Sequence, residues 1–282
     1  MDRKLIVNAD DFGRSPGVSK GIRQAHLKGI VTSTTVLINL PEIETLLAKV
    51  LSCHELGIGL HLVFTAGRPV LPPDAVPGLV DTHGRFLEQH TLWARAETVP
   101  ADQLHAELST QIARFVTITG RLPDHLDCHH FVHLHPAFFE IYAGLAEQFR
   151  LPIRAPFPIE TDFRQAVSAL PFLEGFPPDL VRGMIVTNSA LLRARGLAHP
   201  DHFVSTFFGK EALTLDYLLH LLTNLPTGIT ELMCHPGYCD LGLSNSSYRH
   251  EREIELNLLT NPIVRERLDQ LDIKLVTFAA VR

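Results

Sequence analysis

Asp10 and Asp11 are adjacent carboxylates at the end of a short apolar run from Leu5 to Ala9, followed at once by Phe12 and Gly13. Such a pair sits where a buried strand meets water, and one member can hold a metal ion while the other works as a base. Successive side chains on a strand point to opposite sides. The strand must therefore end there and turn, through Gly13, for both carboxylates to reach one centre. Taken by themselves the two residues serve equally well as turn formers or as a cap for the helix beginning near Ser15. The histidines downstream change that balance.

Between His125 and Pro136 there are five histidines, at 125, 129, 130, 133 and 135, which is too many for a plain core strand. Two-residue alternation places His125, Asp127 and His129 on one face and Cys128 and His130 on the other. His129, last on the inward face, is the expected ligand. Asp127 is expected to hydrogen-bond an imidazole, and His133 and His135 are open to substrate contact, support of a ligand, or helix capping. His61, alone on an apolar strand, would be an ordinary core histidine. With Asp11 and His129 it completes one carboxylate and two imidazoles, a three-ligand set that leaves positions free for water and substrate. Arg154 and His235 close two further apolar segments. Cys234 and Cys239 flank His235 but lack the four tightly spaced donors of a structural zinc site.

The elements that must position these residues alternate. Strand-like runs are expected at Leu5–Ala9, Ser33–Ile38, Gly57–Leu62, His125–His129, Pro152–Ala155, Gly228–Cys234 and Ile273–Phe278. Helices are expected near 17–28, 43–51, 101–119, 136–149, 179–195, 211–222, 247–259 and 263–271. The reading is a single α/β domain over residues 1–282, a distorted, TIM-like (β/α) barrel in which reactive residues gather at the carboxyl ends of several strands. Two proline-rich stretches, about 63–100 and 156–178, are too long for plain connections and are expected to form lids, binding walls or subunit contacts. They are consistent with a homodimer.

The chain has 282 residues, 45% of them apolar, with 25 Lys and Arg against 31 Asp and Glu for a net charge of −6. No basic run offers nucleic acid a footprint, and a neutral or cationic small substrate fits the charge better. No stretch has the length and apolarity of a membrane span, and the first residues do not resemble a secretory leader. Four cysteines without a CxxC pair are expected to be reduced thiols, which with the missing address points to the cytoplasm.

Asn8 to Gly13, Gly59 to Leu62, the cluster from His125 to Pro136, Ile153 to Pro156 and Cys234 to Gly237 together resemble the YdjC-like carbohydrate deacetylases over nearly the whole chain. The resemblance implies a distorted β/α barrel, one divalent metal ion (magnesium or zinc foremost), and removal of an acetyl group from an acetylated amino sugar such as the N-acetylglucosamine units of chitooligosaccharides. It matches Asp11, His61 and His129 to the metal ligands and Asp10 to the catalytic base. Phe131 stands where the family often has another histidine. Under this reading Arg154 holds Asp10 ionised, with a purely structural salt bridge as its alternative, and His235 protonates the departing amine or stabilises the intermediate. A metal-dependent sugar isomerase or phosphoesterase is the nearest alternative, and a phosphate handler should show a glycine-rich cradle or clustered Arg and Lys, which the sequence does not display. A sugar-binding protein without catalysis would not need an aspartate pair beside three histidines.

Overall fold

The computed structural model describes residues 2–155 and 177–281. Most of the stretch 156–178, singled out above as a long loop, lies outside the described residues. The elements in chain order are β1 (Arg3–Phe12), α1 (Pro16–Lys28), β2 (Ser33–Val36), α2 (Ile43–Ala48), β3 (Gly57–Leu62), α3 (Gln89–Ala94), α4 (Ala101–Thr119), β4 (Leu126–Cys128), α5 (Pro136–Phe149), α6 (Pro178–Arg195), β5 (His202–Val204), α7 (Leu215–Thr223), β6 (Gly228–Cys234), α8 (His250–Leu259), α9 (Pro262–Gln270) and β7 (Ile273–Leu275).

Seven parallel strands form one sheet in the order β4-β3-β2-β1-β6-β5, with β7 also on β1. Strands covered on both faces read as near-continuous apolar runs, and Leu5, Ile6, Val7 and Ala9 of β1 are fully buried. β6 pairs along Arg3–Ala9, so the other edge of β1 is shared: β7 takes Arg3–Leu5 and β2 takes Asn8–Phe12. The last strand therefore wedges beside β2 rather than closing a barrel. The sheet curls into a half-barrel, and its gap is spanned by single residues. Ile153 makes one parallel bridge to Leu126 of β4, and its N–H donates to the carbonyl of Ala198, just before β5. The strand expected at Pro152–Ala155 is thus one bridge, and β5 is an additional strand of three residues.

Other boundaries moved by a few residues. The expected strands at 33–38 and 273–278 stop at Val36 and Leu275, and the helices expected from 211 and 247 start at Leu215 and His250. Neither aspartate caps α1. Ser15 does, its hydroxyl accepting the Val18 N–H at 3.1 Å, with Val18, Ile22 and Ala25 buried as the apolar periodicity requires.

The segment after β3 has structure of its own, with a single turn at Pro73–Ala75, an antiparallel bridge between Val80 and Phe86, and α3. Two buried polar residues of α4 staple it down. The Glu107 carboxylate accepts the Val70 and Leu71 N–H groups at 2.9 and 3.0 Å, and the Gln111 amide exchanges hydrogen bonds with Val63. A loop fixed at its backbone in this way can serve as a rigid wall.

Beneath the carboxyl ends of the strands lies a tight pairing of small and large. A Cβ on Gly59 would meet the His125 ring at 2.3 Å, and that ring in turn stacks on Phe278 with centroids 3.5 Å apart. The missing side chain in β3 is what admits an imidazole to the interior. Gly59→Ala should therefore lower stability by about 1–3 kcal/mol through overpacking, with part of the loss recovered when His125→Ala is added. Urea unfolding of the wild type and the two variants checks this, and an unchanged midpoint for the single variant would count against the pairing.

Candidate metal and catalytic site

The backbone first explains how neighbouring aspartates face one centre. Between Ala9 and Phe12 the register of β1 against β2 slips, with three steps on β1 matched by two on β2, and Asp11 adopts φ = 70°. This bulge turns the Asp11 side chain to the same side as that of Asp10. The reversal expected at Gly13 begins two residues earlier, at a residue type that tolerates the left-handed region better than most. Gly13 itself follows with φ = 96°.

Asp10, Asp11, His61, His129 and His235 line one cavity of about 320 Å³ at the carboxyl ends of the strands. Arg154 lies beneath it, fully buried, with Nη1 and Nη2 each 2.7 Å from the two oxygens of Asp10. It also reaches Glu231 at 2.7 Å and Asp127 at 3.2 Å. Burial pushes the Asp10 carboxyl up, but the guanidinium outweighs it and leaves the pKa at about 2. Glu231, fully buried with one oxygen unpartnered among the described residues, is pushed up to about 8 by burial, which Arg154 only partly opposes.

His61 is oriented from behind. Its Nδ1 lies 2.6 Å from Asp127 Oδ1, and Asp127 also accepts the Thr35 hydroxyl at 2.9 Å. This is the carboxylate partner expected for the imidazole, and it leaves Nε2 facing forward, 3.6 Å from Asp11 Oδ1. His129 Nδ1 lies 3.1 Å from the same oxygen. Donor atoms of Asp11, His61 and His129 all fall within 4.8 Å of one another. Asp11 Oδ1 is buried and accepts no hydrogen bond among the described residues. Bonds of about 2.1 Å to a tetrahedral cation imply donor separations of about 3.4 Å, so the residues fit a divalent ion of oxygen and nitrogen preference.

Along the cluster, β4 stops at Cys128, and His129–Leu134 forms a short helical turn kinked at His130 and Phe131, both at positive φ. His130 stacks on His129 at 3.7 Å, and its carbonyl accepts from Gln89 of α3. Of the two histidines left open, His135 caps α5 by accepting the Ala137 N–H at 3.3 Å. His133 is buried beside Phe139 and Tyr142, away from the cavity lining.

His235 ends β6 between aromatic neighbours, 5.3 Å from Phe208 and 5.7 Å from Tyr248. Burial lowers its pKa to about 4. Its backbone N–H donates to Glu255, which also accepts the Tyr248 hydroxyl. Sequence reasoning missed this wall: Tyr248, Arg252 and Glu255, with Arg252 donating to Asp11 Oδ2 at 2.5 Å. It also missed Thr35 and Glu231. Arg14 and Arg252 line the cavity, although no arginine cluster is visible in the sequence.

Burial raises Glu255 as well, to about 8. Folded protein keeps protons on Glu231 and Glu255 well above the ordinary value of 4.5, where the unfolded chain has lost them. Stability therefore falls as pH rises towards 8. Near pH 6.5 the histidines with lowered pKa still take up protons on unfolding and oppose this fall, so the decline belongs to the window from about pH 7.5 to 8.5, where they are neutral in both states and His61, raised by Asp127 against burial, adds to it. Glu231→Gln should flatten the decline in unfolding free energy over that window, measured by urea titration at several pH values. An unaltered slope would mean that Glu231 is ionised in the folded protein.

The family described as YdjC-like protein matches residues 4–270. A carbohydrate deacetylase of Geobacillus stearothermophilus is 36% identical over 280 residues, covering 99% of this chain and 98% of the relative. A chitooligosaccharide deacetylase of Serratia marcescens is 33% identical, with 99% of each chain covered. Among solved structures, an Enterococcus faecalis V583 protein described as a candidate for cellobiose-phosphate cleavage superposes with a TM-score of 0.82 at 31% identity over 99% of both chains. The aspartate bulge and the histidine cluster lie inside the matched span, and the chain belongs to the YdjC-like family.

Proposed function

We propose that this protein is a metal-dependent carbohydrate deacetylase that hydrolyses the acetamido group of N-acetylglucosamine units in chitooligosaccharides. One observation carries the reading: three donors, from Asp11, His61 and His129, converge beside an aspartate that an arginine keeps ionised. Relatives at 36% and 33% identity named carbohydrate deacetylase and chitooligosaccharide deacetylase support the substrate class.

A bound divalent ion supplies two things, polarisation of the acetyl carbonyl and a more acidic water. The chain supplies the rest. Asp10 takes the water's proton, and with a pKa of about 2 it is ionised across the neutral range. Arg154 fixes its orientation through the paired hydrogen bond, a geometry that lysine could not reproduce. Asn8 adds a third donor to Asp10 Oδ1 at 2.8 Å. Asp127 and Thr35 hold His61 in the orientation that presents Nε2. His235, neutral near pH 7, offers a ring N–H to the tetrahedral oxygen or to the departing amine. Phe131, Phe208 and Tyr248 give the cavity apolar surfaces for the pyranose. A mixed oxygen and nitrogen donor set suits zinc better than magnesium, which prefers oxygen and keeps several waters.

Purified protein, stripped of metal and supplied with zinc or magnesium, should release acetate from N-acetylated chitooligosaccharides. Asp10→Asn should lose about 10²- to 10⁴-fold in kcat while binding zinc as the wild type does. His129→Ala should lose both turnover and zinc. Full activity in the Asp10 variant would overturn the base assignment, and acetate release unaffected by metal removal would overturn the metal.

A further inference from the structure

Asp10 and Asp11 are neighbours in the chain, but their carboxylates are held in different ways. Both oxygens of Asp10 accept from Arg154. Asp11 is engaged on one side only: Oδ2 takes Nη2 of Arg252 at 2.5 Å, while Oδ1 is left facing His129 and His61. Arg252 is itself buried and anchored. Its Nε donates to the Tyr248 carbonyl at 3.3 Å, and its own carbonyl accepts the Gly237 N–H at 3.0 Å, two residues beyond His235.

We propose that Arg252 is a positioning residue for Asp11, which fixes the carboxylate so that a single oxygen is offered to the cation. The inference rests on reading Asp11, His61 and His129 as the metal ligands. Among the described residues no backbone N–H bonds to the Asp11 carboxylate, and Arg252 is the donor that fixes its rotation. By occupying Oδ2 it keeps Asp11 from presenting both oxygens, which would use a coordination position that water and substrate need. The same side chain couples Asp11 to the wall carrying Tyr248 and Glu255, and so to His235.

The alternative is a plain ion pair, and it makes the opposite prediction. A guanidinium near a cation site repels the cation, so if Arg252 did nothing but balance charge, its removal would leave metal affinity unchanged or improve it. If it positions Asp11, removal weakens binding despite the lost repulsion.

The test uses the full-length protein, freed of metal by chelation, titrated with Zn²⁺ by calorimetry and with Co²⁺ by visible absorption. Arg252→Met should bind Zn²⁺ about 10- to 100-fold more weakly, the usual effect of losing a group that orients a ligand, and should change the intensity of the Co²⁺ bands. Arg252→Lys keeps the charge and serves if the methionine variant does not fold. A single ammonium on a flexible stem does not reproduce the rigid fork in which Nε holds the Tyr248 carbonyl while Nη2 holds Asp11 Oδ2, so its Zn²⁺ affinity should also fall by several-fold. Either variant, folded by circular dichroism and binding Zn²⁺ as tightly as the wild type or more so, overturns the proposal. Failure of the wild type to bind either ion would instead overturn the metal reading, and it is seen before any Arg252 variant is compared.

Discussion

The constraint that organises the carboxyl end of this sheet is the cost of burying charge. Five carboxyl groups, on Asp10, Asp11, Asp127, Glu231 and Glu255, share its interior with two guanidinium groups, on Arg154 and Arg252, all within a few per cent of complete burial. An unpaired ion there costs several kcal/mol, so the pairing pattern decides which carboxyls carry charge. Arg154 gives Asp10 the paired, two-nitrogen hydrogen bond and meets Glu231 at a single oxygen. The consequence is a divided floor around one cation: burial, only partly opposed by Arg154, raises Glu231 to about 8, whereas at Asp10 the guanidinium outweighs burial and leaves the carboxyl at about 2. A carboxylate that stays ionised although buried, at Asp10, thus depends on a residue outside the cavity lining.

Much of this was legible in the order of residues. Parallel strands buried on both faces announce themselves as apolar runs, and the reactive residues stand out where those runs end. Asp10, Asp11, His61, His129 and His235 are visible for that reason. What stayed hidden was decided by tertiary packing. β5 is three partly buried residues at the sheet edge, too short for a period to register, and the bridge at Ile153 exists only because Leu126 and Ala198 lie beside it. Arg252 sits in the run His250-Glu-Arg-Glu-Ile-Glu255, which reads as a solvated helix face, yet it and Glu255 are buried. Glu231 did leave a signal, as a lone charge inside an otherwise apolar strand.

The histidine cluster shows both sides of that limit. Alternation correctly put Asp127 and His129 on the inward face, because β4 is extended through Cys128. Past that point the chain takes two consecutive left-handed residues, His130 and Phe131, and no periodicity survives such a kink. The fates of His133, packed under aromatic rings, and His135, capping α5, follow from a turn that composition does not specify.

Half of the described non-glycine residues at positive φ sit at the cavity. Of the non-glycine residues with positive φ, Asp11, His130 and Phe131 line the cavity. Each such conformation costs on the order of 1–3 kcal/mol and persists only when its surroundings over-determine it. For Asp11 the determinants are the slipped register against β2 and the hydrogen bond from Arg252. For His130 they are the stack on His129, the Gln89 hydrogen bond to its carbonyl and the Thr65 hydroxyl 3.0 Å from its Nδ1. Gln89 and Thr65 belong to the loop that Glu107 and Gln111 staple to α4. The long connection after β3 therefore does more than wall the cavity: it holds the strained turn that carries His129, one of the three side chains that could hold a metal ion.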